Sequence, residues 1–195
     1  TMTVAFGHGI AVTPLQVAAA TGAVVDGGVL RPPTILARTE PAPGERVFSA
    51  QTSRQMRSMM RRVVASGTGE KADVPGYMVG GKTGTSEKLV NGRYDDDKRV
   101  STFVAAFPMD HPRYIVLAML DEPKGNKSTY NFATGGWVAA PVVAKVIRRM
   151  GPLYGLAPRP DGDRLDQPPT KQKPGVLAAR PAAGAKVQGR QLAAN

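Results

Sequence analysis

The tightest constraint on the fold lies between residues 80 and 120, where β-forming runs alternate with turn signals. Residues 80–88, Gly-Gly-Lys-Thr-Gly-Thr-Ser-Glu-Lys, lead into Asn91-Gly92, a strong two-residue hairpin signal. Residues 99–107 alternate roughly between apolar and polar, residues 108–112 begin and end in proline, and residues 114–120 are almost continuously apolar. Three successive runs joined by short turns predict an antiparallel meander. The cluster Tyr94-Asp95-Asp96-Asp97-Lys98 lacks the alternating acids and closing glutamate of a Ca²⁺ loop, and reads as a solvated turn between strands.

Helices are predicted before and after these strands. Thr13-Pro14-Leu15-Gln16 is a helix start, with Thr13 as N-cap, Pro14 at N1 and Gln16 closing a capping box. Val12 and Val17 are spaced for a hydrophobic staple, and the small apolar residues 18–25 predict a helix buried on nearly all sides, ended by Gly27-Gly28. Residues 29–35 read as an extended edge segment and 38–46 as a loop. Ser49 is placed to cap a second helix. On it Met56, Met59, Met60, Val63 and Val64 form one apolar face, with Arg54, Arg57, Arg61 and Arg62 mainly off it. The methionine stripe is read as core packing rather than a binding groove. Ser66-Gly67-Thr68-Gly69 closes that helix. Asp121-Glu122-Pro123 ends the third strand, and residues 124–134 are a polar loop. Residues 137–150 form a last helix, its Pro141 tolerated in the first turn and Val138, Val142, Val146 and Ile147 facing the sheet.

A chain of 195 residues with 42% hydrophobic content is long enough for one domain with its own core. The fold class predicted is α/β of the α+β type, a mainly antiparallel sheet flanked by helices, with a domain over residues 1–157. From residue 158 to 195 Pro, Ala, Gly, Lys and Gln dominate and aromatics vanish, which predicts a basic, disordered tail. The net charge of +11 would suit an anionic partner, but the aromatics are few and the basic residues spread over a helix face and the tail. That argues against a stacking-type nucleic-acid groove, and no nucleic acid is expected. No cysteine and only two isolated histidines leave no credible zinc site, so neither metal nor cofactor is expected. No apolar run reaches the roughly 18 residues of a membrane span. The sequence opens on Thr1 and runs directly into Val4-Ala5-Phe6, which reads as a start inside a longer reading frame.

The chemistry is concentrated in residues 80–88, where Lys82, three hydroxyl side chains and three glycines stand together. Glycines let a ligand approach the backbone, hydroxyls donate to an oxygen-rich ligand, and the ammonium supplies a point charge. Residues 76–83 fit the phosphate-loop pattern G-x-x-x-x-G-K-[ST], with Asp121 as a possible Mg²⁺ partner. A phosphate loop must follow a buried strand and open a helix. Here the upstream segment is short and broken by Pro75, and the downstream segment has no helical period. A Lys-Thr-Gly strand of the penicillin-reactive serine enzymes fits the strand–turn–strand context better. A plain glycine-rich loop with a solvated lysine is the third reading of the triplet taken alone.

Several stretches in one order favour the second reading. They are Val12-Thr13-Pro14-Leu15-Gln16, Gly67-Thr68-Gly69, Gly76-Tyr77 before Gly80-Gly81-Lys82-Thr83-Gly84-Thr85, Asp121-Glu122-Pro123, Gly135-Gly136 and Ala140-Pro141. Over residues 3–150 the chain resembles the C-terminal half of the transpeptidase domain of class B penicillin-binding proteins, nearest the septal cell-division type, with a serine β-lactamase-like fold. The resemblance implies serine acyl transfer in bacterial wall synthesis, with peptidoglycan stem peptides and β-lactams as ligands. It further implies divisome proteins as partners and a parent anchored in the inner membrane facing the periplasm. Carried over, Lys82 contributes charge and orients the hydroxyls, while Thr83 and Thr85, flanking Gly84, bind the donor carboxylate. The Thr85 backbone N–H forms half of an oxyanion hole. Thr83 and Thr85 share one face of an ideal strand, whereas Lys82 points to the other and would need a twist or a kink at Gly81 or Gly84. The family's S-x-x-K and S-x-N motifs are absent from the sequence, so the chain alone is expected to be inert and to need the N-terminal part of its domain. A nucleotide-binding module and a non-catalytic wall-binding protein of the same fold are the alternatives.

Overall fold

The computed structural model describes residues 10–90 and 92–159. The elements run α1 (Pro14–Val25), β1 (Val29–Leu30), β2 (Glu45–Arg46), α2 (Ala50–Ser66), β3 (Gly80–Val90), β4 (Arg93–Phe107), β5 (Tyr114–Asp121), α3 (Gly135–Val138) and α4 (Ala140–Leu153). Strands β3, β4 and β5 form the antiparallel meander, in that order, with β3 at an edge. The mixed helix and antiparallel-sheet architecture is the one the sequence predicts.

Local signals account for where the helices begin. The Thr13 hydroxyl accepts from the Gln16 N–H while the Gln16 side chain accepts from the Thr13 N–H, a complete capping box. Ser49 caps α2 by accepting from the Thr52 N–H. Gly67 ends α2, and Pro141 stands in the first turn of α4.

Side chains of the meander alternate between two faces. Phe103, Ala105, Phe107 and Val116 join Val64, Val79, Val143 and Ile147 in the larger core, under α4. Ala106 and Ile115 point the other way, to Val25, Met60, Met78 and Met109. Helix α2 serves both clusters, through Met60 to one and Val64 to the other.

Several expectations are corrected. Helix α1 buries only Thr21, Ala23 and Val25; Leu15 is exposed, and so is Val12, which is not held in a staple. Small apolar residues permit burial, but among the described residues nothing buries the N-terminal half of α1. Residues 45 and 46, expected in a loop, pair with Val29 and Leu30, which are the only strand residues of the predicted 29–35 edge. Met59 is 52% exposed, whereas Arg61, read as off the apolar face, is 6% exposed. The acidic cluster is not a turn: β4 begins at Arg93 and carries it, and Gly92 just before it is in a turn. The last helix is two, α3 and α4, and the residues of α4 that face the core are Ala140, Val143, Ala144 and Ile147, with Val146 packed against it and Val142 exposed. The predicted tail lies outside the described residues except for Pro158 and Arg159, and Arg159 is tied to the body by its N–H to the Gly76 carbonyl, 2.9 Å.

Candidate active site

Strand β3 begins where α2 and the core fix it. Arg61, buried in α2, donates to the Val79 carbonyl and to Asp73 Oδ1, both at 2.8 Å. From there Gly80 pairs with Ala106 and the register runs without interruption through Thr85 opposite Ser101, to Glu87 opposite Arg99. The first irregularity falls between Glu87 and Lys88. No kink at Gly81 or Gly84 is therefore present. Gly81 answers a packing need: a Cβ there would lie 2.6 Å from the Phe103 ring and from the Val104 carbonyl.

Alternation puts Thr83 and Thr85 on the Phe103 face and Lys82 on the other, as expected for an ideal strand. The lysine nonetheless reaches the hydroxyls. Its Nζ donates to the Thr83 carbonyl at 2.9 Å and stands 3.4 Å from Thr83 Oγ1. The length of the side chain, wrapped around the open edge of β3, supplies what a backbone distortion would otherwise have to supply. Because the Thr83 carbonyl accepts from this ammonium, it lies at the open edge. Peptide groups two residues apart in an antiparallel ladder face the same side, so the Thr85 N–H is presented at that edge too.

Two further groups complete the hydroxyl cluster. Thr68, just after α2, has its Oγ1 3.4 Å from Thr83 Oγ1. Thr85 Oγ1 accepts from the Gly135 N–H at 3.1 Å. The loop entering α3 can approach this closely because residues 135 and 136 lack side chains. A Cβ on Gly136 would lie 2.2 Å from the Thr68 carbonyl. The loop is braced by Trp137, which stacks on Phe132 and meets Tyr130 edge-on, with Lys71 Nζ 4.2 Å above its ring.

Lys82, Thr83, Gly84 and Thr85 are thus held together on one exposed strand edge. Thr68, Gly135 and Arg61 were missed as site residues. The Gly67-Thr68-Gly69 and Gly135-Gly136 signals were in view, but their convergence on β3 needs the tertiary fold. The phosphate-loop alternative loses its geometry: Lys82 and Thr83 enter a strand rather than a helix, and Asp121 is paired with Lys88 at the far end of the sheet. The arrangement can bind a carboxylate with charge and hydroxyl donors while a backbone N–H stabilises a developing oxyanion beside it.

A strand edge carrying Lys-Thr-Gly-Thr, backed by a C-terminal helix, defines a penicillin-reactive transpeptidase fold. Residues 1–148 match the penicillin binding protein transpeptidase domain, and the chain belongs to that family. A probable peptidoglycan D,D-transpeptidase FtsI of Caulobacter vibrioides is 48% identical over 162 residues, 77% of this chain and 28% of that protein. Stage V sporulation protein D of Bacillus subtilis is 40% identical, over 80% of this chain and 25% of its own length. Among solved structures, the apo transpeptidase domain of Burkholderia pseudomallei penicillin-binding protein 3 superposes with a TM-score of 0.70 at 38% identity, covering 80% of this chain and 46% of that one. Penicillin-binding protein 3 of Mycobacterium tuberculosis in complex with ampicillin gives 0.70 at 31% identity, covering 81% and 38%. The chain spans less than a third of the length of these curated relatives.

Proposed function

We propose that this chain supplies the substrate wall and part of the oxyanion hole of a peptidoglycan D,D-transpeptidase acting in septal wall synthesis. The observation that carries the reading is the Lys82–Thr83–Thr68 cluster on the open edge of β3, next to the edge-facing Thr85 N–H. An extended donor peptide lies along that edge as an added strand. Its terminal carboxylate is held by the Thr83 and Thr85 hydroxyls beside the Lys82 charge. A serine oxygen attacks the D-Ala-D-Ala carbonyl carbon and gives up its proton to a base. The carbonyl oxygen becomes an oxyanion facing the Thr85 N–H, a donor of a kind whose loss raises barriers by about 3 kcal/mol. The C–N bond breaks, D-Ala leaves with a proton, and the acyl group passes to an amine of a neighbouring stem peptide.

The sequence contains neither S-x-x-K nor S-x-N, so serine and base come from a part of the domain outside it, and the chain alone is inert. Among the described residues no helix is long and apolar enough to cross a membrane. Placement of the parent at the periplasmic face of the inner membrane, with divisome proteins as partners, is part of the same proposal.

Covalent labelling by a fluorescent penicillin is the test. The full-length gene product is expected to label, and Thr83→Val and Thr85→Val to slow acylation by about tenfold each, the effect of one charge-assisted hydrogen bond. The 195-residue chain is expected not to label. Labelling of this chain alone overturns its inertness; a full-length product that binds stem peptide but never labels makes it a wall-binding protein.

A further inference from the structure

A second site lies on the other side of the sheet from α4, between the start of α2 and the β4–β5 turn. It is a cavity of about 660 Å³, within the roughly 300–1,000 Å³ of small-molecule sites. Arg54, Arg57 and Arg113 line it, together with the apolar Val25, Met109 and Pro112. Its two acids are already engaged. Asp110 is bridged by Arg159 at 2.7 Å, and Asp26 is paired with Arg31.

Arg57 is the fixed cation of the cavity. Its Nη1 donates to the Asp110 carbonyl at 3.1 Å, which fixes the guanidinium, but its Nε is buried without a hydrogen-bond partner. Burial, then the neighbouring Arg54 charge, hold the Arg57 pKa below the ordinary arginine range, only partly offset by Asp110. Arg54 and Arg113 are exposed and make no ion pair among the described residues. An anion seated among Arg54, Arg57 and Arg113 would relieve their like-charge repulsion. Planar guanidinium groups match carboxylate and phosphate oxygens in pairs.

We propose that this cavity is an oxyanion-binding site for a carboxylate or phosphate ligand held among Arg54, Arg57 and Arg113. It is separate from the β3 edge and does not depend on the transpeptidase reading.

The test is calorimetric titration of the 195-residue chain at about 50 mM salt, where surface charges are least screened. One arm uses sodium phosphate alone and the other an N-acetylated hexapeptide of alternating glutamate and valine. Single-site saturation by at least one is expected. Saturation by phosphate alone identifies a small-anion ligand, and saturation by the peptide alone identifies an acidic polypeptide segment. The double variant Arg54→Gln/Arg113→Gln changes two exposed side chains, leaves Arg57 in place, and should keep the fold by circular dichroism. It is expected to weaken binding about tenfold or more. Arg148→Gln/Arg149→Gln removes the same charge from the exposed side of α4 and should leave the affinity unchanged. Equal loss in both variants means a diffuse response to net charge and overturns the site, as does the absence of saturable binding in both arms.

Discussion

Replacing Gly135 by alanine tests the packing that builds the β3 edge, because two effects oppose each other in sign. Gly135 is the first residue of α3, and its backbone conformation is open to any residue. On propensity alone the substitution would stabilise by up to about 1 kcal/mol. The added Cβ, however, would lie 2.2 Å from the Thr102 carbonyl oxygen and 2.7 Å from that of Gly84. Both are ladder atoms that cannot rotate away, so α3 must lift off the strands. Overpacking of this kind costs about 1–3 kcal/mol. Lifting α3 also breaks the Gly135 N–H to Thr85 Oγ1 bond, about 1 kcal/mol more. The net expectation is a loss of about 2 kcal/mol, or a fall in Tm of about 4–8 °C for a chain of this size. Urea and thermal denaturation followed by circular dichroism read it directly. Thr85→Val removes the hydrogen bond without the clash and should cost about 1 kcal/mol. The double variant should lose less than the sum, since both changes remove the same bond. A Gly135→Ala protein as stable as the parent, or more so, refutes the close approach of α3 to the strands and with it the positioning of the Thr85 hydroxyl.

Arg61→Met should cost about 2 kcal/mol in urea denaturation, because the Val79 carbonyl loses its buried donor; an unchanged midpoint would remove Arg61 from the support of β3. The acid side of the stability profile should carry the signature of Asp110. Burial raises its pKa, but the Arg159 hydrogen bond and charge outweigh this, aided by the Asp110 and His111 N–H groups, and leave it below the ordinary carboxylate range. A depressed folded-state pKa contributes stability that is present above the unfolded value of about 3.9 and lost as pH falls through the folded one. Arg159→Gln should therefore flatten the loss of stability below about pH 4, and identical acid profiles would show that the pair contributes nothing.

The features legible in the sequence are those set within a few residues. The Thr13 and Gln16 capping box, the Ser49 cap and the Asn91-Gly92 turn signal each depend on neighbours in the chain, and the helix starts and the meander order follow from them. Features that depend on a distant partner were read wrongly or not at all. Residues 18–25 show that a helix could be buried, but not whether a surface exists to cover it. The aspartates at 95–97, which do not fit a Ca²⁺ loop, read as a solvated turn. Yet Glu87 pairs with Arg99 and Lys88 with Asp95, so residues 96–98 stand in β4 without partners on β3 and the strand continues past them. Lys82 sharpens the distinction. Strand periodicity correctly put its Cβ opposite Thr83 and Thr85, and the inference that a kink was needed treated the side chain as a direction rather than as a tether of four methylenes. An edge strand has no neighbour on one side, so a long side chain from either face can curl over the open backbone. The same openness presents the Thr83 carbonyl and the Thr85 N–H to a ligand. A lysine at the centre of the sheet, flanked on both sides, could not reach its neighbour's hydroxyl this way, and the Lys-Thr-Gly-Thr cluster therefore requires the edge position that β3 holds.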